Sequence, residues 1–420
     1  MTRTKILTAF VLIFFCLDIS AQNDTIPFAK QTTKENRVKE YRNLVNSINT
    51  NLLLPLSDST EEYWQNAFYT MELLNYRTPF IDARIHTAID SAAYRSTAFQ
   101  KAILQLAYVL YPKDFVLQTL SLIKQTDDPK LFAMCSEYLF LNNKTETYKT
   151  ILLKRMEEIE HKGGVTTETP FFTVLKNKLL LTGVKHPPVA DLLGNTFLPG
   201  KMVVYSFQRK NRNYPGLVMV RSKDGKFIKD AAGKYFSVPQ LARSCTNMPG
   251  YLTNGNTPQG IFKITGFDVS KGSFIGPTTN IQMVLPYEHS TDVSDSITQL
   301  LGDNYRFLLP VSWKNYYPFY EAYYAGKAGR TEIIAHGTTV NPEYYAKQPY
   351  YPLTPTQGCL CTKEIWNAVD GKRTESDQQK LVDAVKKAGG ANGYCIVIEI
   401  DDQQKPVSIK DILPFLKMKK

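Results

Sequence analysis

A histidine and a cysteine, each beside a glycine, bracket one loop in the C-terminal half of the 420-residue sequence. The apolar run Glu332-Ile333-Ile334-Ala335 ends in His336-Gly337-Thr338, and after a stretch rich in Pro and Tyr comes Thr356-Gln357-Gly358-Cys359-Leu360. Attack on an amide or ester carbonyl requires a thiolate, a base to take the thiol proton, and backbone N–H groups to stabilise the oxyanion. Cys359 is the candidate nucleophile and His336 the candidate base, with the Gly337 carbonyl as the acceptor that orients its ring. Gly358 lets the backbone approach a reacting carbonyl, so the N–H groups of Gly358 and Cys359 are the candidate oxyanion donors. Thr338, Thr356 and Gln357 are the candidate substrate-binding side chains. Two plainer readings stand beside this one: His336 as a hydrogen-bonded histidine at a strand end, and Cys359 as a small buried apolar residue. Zinc would find only three ligands in His336, Cys359 and Cys361, at a tight Cys-x-Cys spacing, so no metal and no cofactor is assigned.

The elements that must position these residues are strands. Met202-Val203-Val204-Tyr205, Leu217-Val218-Met219-Val220, Gly260-Ile261-Phe262-Lys263-Ile264, Glu332-Ile333-Ile334-Ala335 and Tyr394-Cys395-Ile396-Val397-Ile398-Glu399-Ile400 are β-branched and aromatic runs bounded by Gly, Pro and Asn. A helix over about 376–388 places Leu381, Val382 and Val385 on one face.

Upstream the period changes to that of helices. Trp64, Phe68 and Met71 recur at helical spacing after Thr60-Glu61-Glu62, a sequence that suits a helix start and its dipole. Phe99, Ile103, Leu106, Ala107 and Leu110 form a second stripe, followed by 115–123 and 131–141, with Pro112 and Thr126-Asp127-Asp128-Pro129 as punctuation. These are helical hairpins without a fixed repeat. The expected organisation is multidomain α plus β. Residues 22–54 form a lead-in with one helix over 34–49, residues 55–190 an all-α helical-hairpin domain, and residues 195–410 a mostly-β catalytic domain that folds independently. The boundary falls at Lys185-His186-Pro187-Pro188.

His336-Gly337 at a strand end, a loop, and Gly358-Cys359 resemble the catalytic motif of the L,D-transpeptidases of the YkuD type. Thr257-Pro258-Gln259-Gly260-Ile261-Phe262 looks like that family's Thr-Pro-x-Gly-x-Phe hairpin, and the strands of 202–220 look like its opening hairpin. The likeness covers about 198–401. It implies a peptidoglycan L,D-transpeptidase in which Cys359 attacks a stem-peptide carbonyl, releases a D-amino acid and passes the acyl group to an amine; with water as acceptor the same site is a carboxypeptidase or endopeptidase. Where the family carries His two residues before the cysteine this chain has Gln357, which leaves any base role to His336. Where the family carries Arg two residues after it this chain has Cys361, which removes a cation from the motif. The alternative function is a non-catalytic envelope protein that binds wall polymer through a degenerate site.

The start of the chain fits that setting. A basic n-region with Arg3 and Lys5, an apolar run over 6–17 and Ala21 read as a signal peptide over 1–21, too short to span a membrane. Bulky Phe15 before Cys16 argues against a lipoprotein. The chain is expected to be exported to the periplasm or cell envelope, without a membrane span in its mature form. Its charge of +11 suits an anionic polymer, and export together with the lack of a Lys/Arg-rich run points to cell wall over nucleic acid. Five cysteines beyond Cys16 make no disulfide scaffold; a Cys361–Cys395 bridge is one arrangement the sequence permits. The cluster Tyr316, Tyr317, Tyr320, Tyr323 and Tyr324 reads as packing or as the lining of a peptide groove. His86, His161, His186 and His289 carry no motif and read as surface or turn residues.

Overall fold

The computed structural model describes residues 26–142, 145–162, 169–289 and 295–417, so the expected signal segment and Cys16 lie outside the described residues. Helices come first: α1 (Lys34–Leu53), α2 (Glu61–Leu74), α3 (Pro79–Asp90), α4 (Thr97–Leu110), α5 (Val116–Gln125), α6 (Pro129–Phe140), α7 (Thr145–His161), α8 (Pro170–Leu180) and the single turn α9 (Ala190–Leu193). Local chemistry sets their starts. Asp128 caps α6 by accepting the Leu131 N–H at 2.8 Å with Pro129 in the first turn, and Thr78 and Ser96 cap α3 and α4 in the same way. α1 extends beyond the expected 34–49 to Leu53.

The second half contains β1 (Met202–Arg209), β2 (Gly216–Arg221), β3 (Val238–Gln240), β4 (Gly260–Asp268), β5 (Asn280–Val284), α10 (Asp295–Asp303), α11 (Tyr305–Leu308), α12 (Glu321–Lys327), β6 (Ala335–His336), β7 (Leu360–Cys361), β8 (Glu364–Trp366), β9 (Arg373–Ser376), α13 (Asp377–Lys387), β10 (Gly393–Asp401) and α14 (Ile409–Lys417). The fold is α plus β. Eight strands form one sheet in the order β3-β2-β1-β10-β4-β5-β6-β7, with β8–β9 a separate hairpin. The pairs β1/β10 and β6/β7 are parallel and the remaining pairs antiparallel. Leu241, just past β3, exchanges both backbone hydrogen bonds with Cys361 at 2.8 and 2.9 Å, so the two edges meet and the sheet is nearly closed.

Every residue of β1 is buried because both faces of the sheet are covered, which is why the strand reads as a continuous apolar run. Met202, Val204, Phe262 and Val397 pack with Leu381, Val382 and Val385 of α13. Tyr205, Phe207, Ile396 and Ile398 face Trp313, Tyr305 and Phe319. This half holds more helix than the one or two helices expected. α10, α11, α12 and α14 are short, and α11 and α12 lie in a run of aromatic residues with little polar punctuation.

The chain boundary near 185–188 is not a packing boundary. Met248, Tyr251 and Leu252 of the sheet half share one core with Leu131, Leu152 and Phe172 of the helical half, and the Tyr251 hydroxyl donates to Glu137 at 2.7 Å. The lead-in is structural as well: Phe28 bridges to Lys372, and the Ala29 N–H donates to the Gly371 carbonyl at 2.9 Å. The two halves therefore share a packed core across the expected boundary. All five described cysteines are free. Cys361 and Cys395 do not pair, since β4, β5 and β6 separate their strands. Among the described residues no helix is long and apolar enough to cross a membrane.

Candidate active site

His336 and Cys359 come together through sheet register. Ala335 pairs with Leu360 and His336 with Cys361. Side chains alternate across a strand, so Ala335 and Leu360 point into the core while His336, Cys361 and Cys359 share the opposite face. Cys359 lies one pleat before Cys361 and is thus the diagonal neighbour of His336. The cysteine side chain is half-buried and His336 is buried.

The His336 Nδ1 hydrogen-bonds the Gly337 carbonyl, the acceptor expected from the sequence. Burial holds the imidazole down to about 4, against an ordinary value of 6.5, with the Gly337 carbonyl opposing the shift. The ring is therefore neutral at pH 7, Nδ1–H donates to the carbonyl, and Nε2 remains the acceptor. Gly337 is fixed in turn by Glu364 of β8. One Glu364 oxygen accepts the Thr338 N–H at 3.0 Å, and the other accepts the hydroxyls of Thr278 at 2.5 Å and Ser376 at 2.6 Å. A side chain at 337 would strike this carboxylate, so glycine is required by close approach. Sequence reading did not find Glu364, which has no spacing motif around it.

On the nucleophile side, burial pushes the Cys359 thiol above its ordinary range, while the Ile334 backbone and Arg330 pull it down. Cys359 Sγ lies 3.6 Å from the Glu332 carbonyl oxygen, to which the thiol donates. Glu332 has φ +60°, an uncommon conformation for a residue with a side chain, and its N–H donates to Glu288 at 3.0 Å. Arg330 was also missed by the sequence reading. Its buried guanidinium donates to the carbonyls of Gly250, Asn256 (2.8 Å) and Gly255 (2.6 Å), and among the described residues no carboxylate forms an ion pair with it. Gly358 packs against it, with φ +116°, and a Cβ there would collide with the guanidinium. A cation thus stands beside Cys359 even though Cys361 occupies the position where the motif carries Arg.

The candidate oxyanion donors separate. The Gly358 N–H is bound to Thr356 Oγ1 at 2.9 Å, whereas the Cys359 N–H has no partner among the described residues. Thr356 also donates to the Cys359 carbonyl at 3.0 Å and so holds the turn together rather than facing substrate. Thr338 is buried, with its hydroxyl and carbonyl bound to Val340, Thr354 and Trp366. Only Gln357 of the three candidate substrate-binding residues is exposed, and its side chain lies beside Tyr69 of α2. The second motif reaches the same turn: Thr257 Oγ1 donates to the Gly358 carbonyl at 2.8 Å.

The loop between His336 and Cys359 rests on the helical half. The Tyr345 hydroxyl donates to the Leu73 carbonyl at 2.6 Å, and the Tyr344 ring packs on Tyr41 of α1 at 5.9 Å. Among the described residues no group of three or more His, Cys, Asp or Glu is placed to hold a metal ion. His86 and His186 pack in aromatic clusters of their own. His86 packs on Phe115 at 4.8 Å, and His186, half-buried rather than on the surface, packs on Trp313 at 5.3 Å. No family model, curated protein or solved structure matches the chain.

Proposed function

We propose that the protein is a cysteine acyltransferase of the L,D-transpeptidase kind, acting on peptidoglycan stem peptides in the periplasm or cell envelope. The observation that carries this reading is the hydrogen bond from Thr257 to the Gly358 carbonyl, which joins the two motifs of the resemblance at the cysteine turn across about a hundred residues of chain. The neutral His336 takes the Cys359 proton on Nε2 as sulfur attacks the stem-peptide carbonyl. The same proton then passes to the departing amine of the D-amino acid, and an acceptor amine attacks the thioester and regenerates the thiol. The Cys359 N–H is the donor available to the oxyanion, and Arg330 favours the thiolate.

The test is turnover of a stem tetrapeptide with an amine acceptor. Cys359→Ala should abolish it, while Cys361→Ser should retain most of it, because only Cys359 follows the glycine held by Thr257 and packed against Arg330. Full turnover by Cys359→Ala would refute the reading.

A further inference from the structure

Glu288, in the segment that leaves β5, is only 2% exposed. Burying a carboxylate is costly unless its oxygens are hydrogen-bonded. One oxygen accepts the Leu285 N–H at 2.8 Å and the other the Glu332 N–H at 3.0 Å, so both bonds go to the main chain. Glu332 lies in the loop between α12 and β6, and its φ of +60° is a conformation that a residue with a side chain adopts at a cost. The Glu332 side chain is exposed, so burial of its own does not offset that cost. The bond from its N–H to the buried Glu288 does.

What this loop presents to the thiol is backbone. The Glu332 carbonyl accepts from Cys359, with Sγ at 3.6 Å, and the Ile334 carbonyl accepts the Leu360 N–H at 3.0 Å. The Ile334 backbone and Arg330 favour the Cys359 thiolate, while burial and the Glu332 carboxylate oppose it. The other titratable neighbours are His336, diagonally across β6 and β7, and Cys361. Arg330 is tied down separately, its N–H to the Ala325 carbonyl at 2.9 Å and its guanidinium to the carbonyls of Gly250, Gly255 and Asn256. Glu288 supplies the corresponding tie at Glu332. A φ relaxed to the ordinary negative range at 332 would turn the peptide units that follow and carry the Glu332 carbonyl and the Ile334 backbone away from the sulfur.

We propose that Glu288 is a positioning residue for Cys359: by holding Glu332 in the left-handed conformation it keeps the backbone of 332–334 against the sulfur. Glu288 touches neither the thiol nor His336 and acts only through that loop. Calling Cys359 a nucleophile rests on the acyltransferase reading; the reactivity of its thiol is measured without it.

The experiment is alkylation of the full chain by iodoacetamide, followed at Cys359 by peptide mass mapping as a function of pH, with the folding of each variant checked by circular dichroism. Glu288→Ala should slow the reaction at pH 7 by about tenfold and move its pH midpoint upward, because the Ile334 backbone that favours the thiolate moves away. Adding Glu332→Gly, which adopts positive φ without cost, should restore most of the rate. Adding Glu332→Gln, which removes the same charge but keeps a side chain, should not. If Glu288→Ala does not fold, the comparison moves to the exposed residue itself: Glu332→Val, whose branched side chain resists positive φ, should react about tenfold more slowly than Glu332→Gln. A wild-type rate and midpoint in folded Glu288→Ala, no rescue by Glu332→Gly, equal rescue by Glu332→Gln, or equal rates for Glu332→Val and Glu332→Gln would each overturn the proposal. Alkylation reports on the sulfur whether or not a stem peptide is turned over, so its outcome is separable from the fate of the acyltransferase reading.

Discussion

At the scale of residues, a neutral imidazole and a thiol that donates to the Glu332 carbonyl lie diagonally across β6 and β7. Burial raises the Cys359 thiol and lowers His336 to about 4, so both groups are uncharged at pH 7, and in the proposed reaction the proton moves as substrate is engaged. The acid limb of kcat/KM for a stem peptide should accordingly lie near pH 4; a limb near the ordinary imidazole value of 6.5 would contradict the assignment of His336 as base. His336→Gln should lower kcat/KM by about 10²-fold or more. Glu364→Ala removes the acceptor for the Thr338 N–H and for two hydroxyls. Its expected cost is about 1–3 kcal/mol in urea unfolding, with a loss of kcat larger than the change in KM, because the Gly337 carbonyl that orients His336 loses its support.

At the scale of elements, the long-period signals were readable and the crossings were not. The stripe Trp64, Phe68 and Met71 became α2, and the stripe Leu381, Val382 and Val385 became α13, because amphipathic spacing and caps are local properties. His336 and Cys359 were legible because glycines flank both. Arg330, in the loop before β6, and Glu364, on the separate β8–β9 hairpin, were not, since each is a single charged residue brought to the site by tertiary packing, which no spacing rule reports. The role of the helices was equally hidden: Tyr69, Leu73 and Tyr41 touch the loop over 338–358, yet in sequence they belong to ordinary helix surfaces. Tyr345→Phe, which loses the bond to the Leu73 carbonyl, should destabilise the protein by about 1 kcal/mol and speed amide hydrogen exchange across 338–358. Exchange in that loop identical to wild type would show that the helices do not restrain it.

For the whole molecule, the shared core around Tyr251 and the pairing of Phe28 with Lys372 make the two halves one unit in unfolding. Stability should then follow pH through His336. Below 6.5 the unfolded chain takes up a proton that the buried ring refuses until about pH 4, so stability is full above 6.5 and falls by about 3 kcal/mol as pH drops to 4. His336→Gln should flatten that part of the curve in urea titrations. The most direct test of the central claim is intact-mass measurement after incubation with a β-lactam of the carbapenem type, followed by peptide mapping. One covalent adduct on Cys359, present in Cys361→Ser and missing in Cys359→Ala, is the predicted result; an unmodified wild-type protein, or an adduct that persists in Cys359→Ala, would contradict the assignment of Cys359 as the acylated nucleophile.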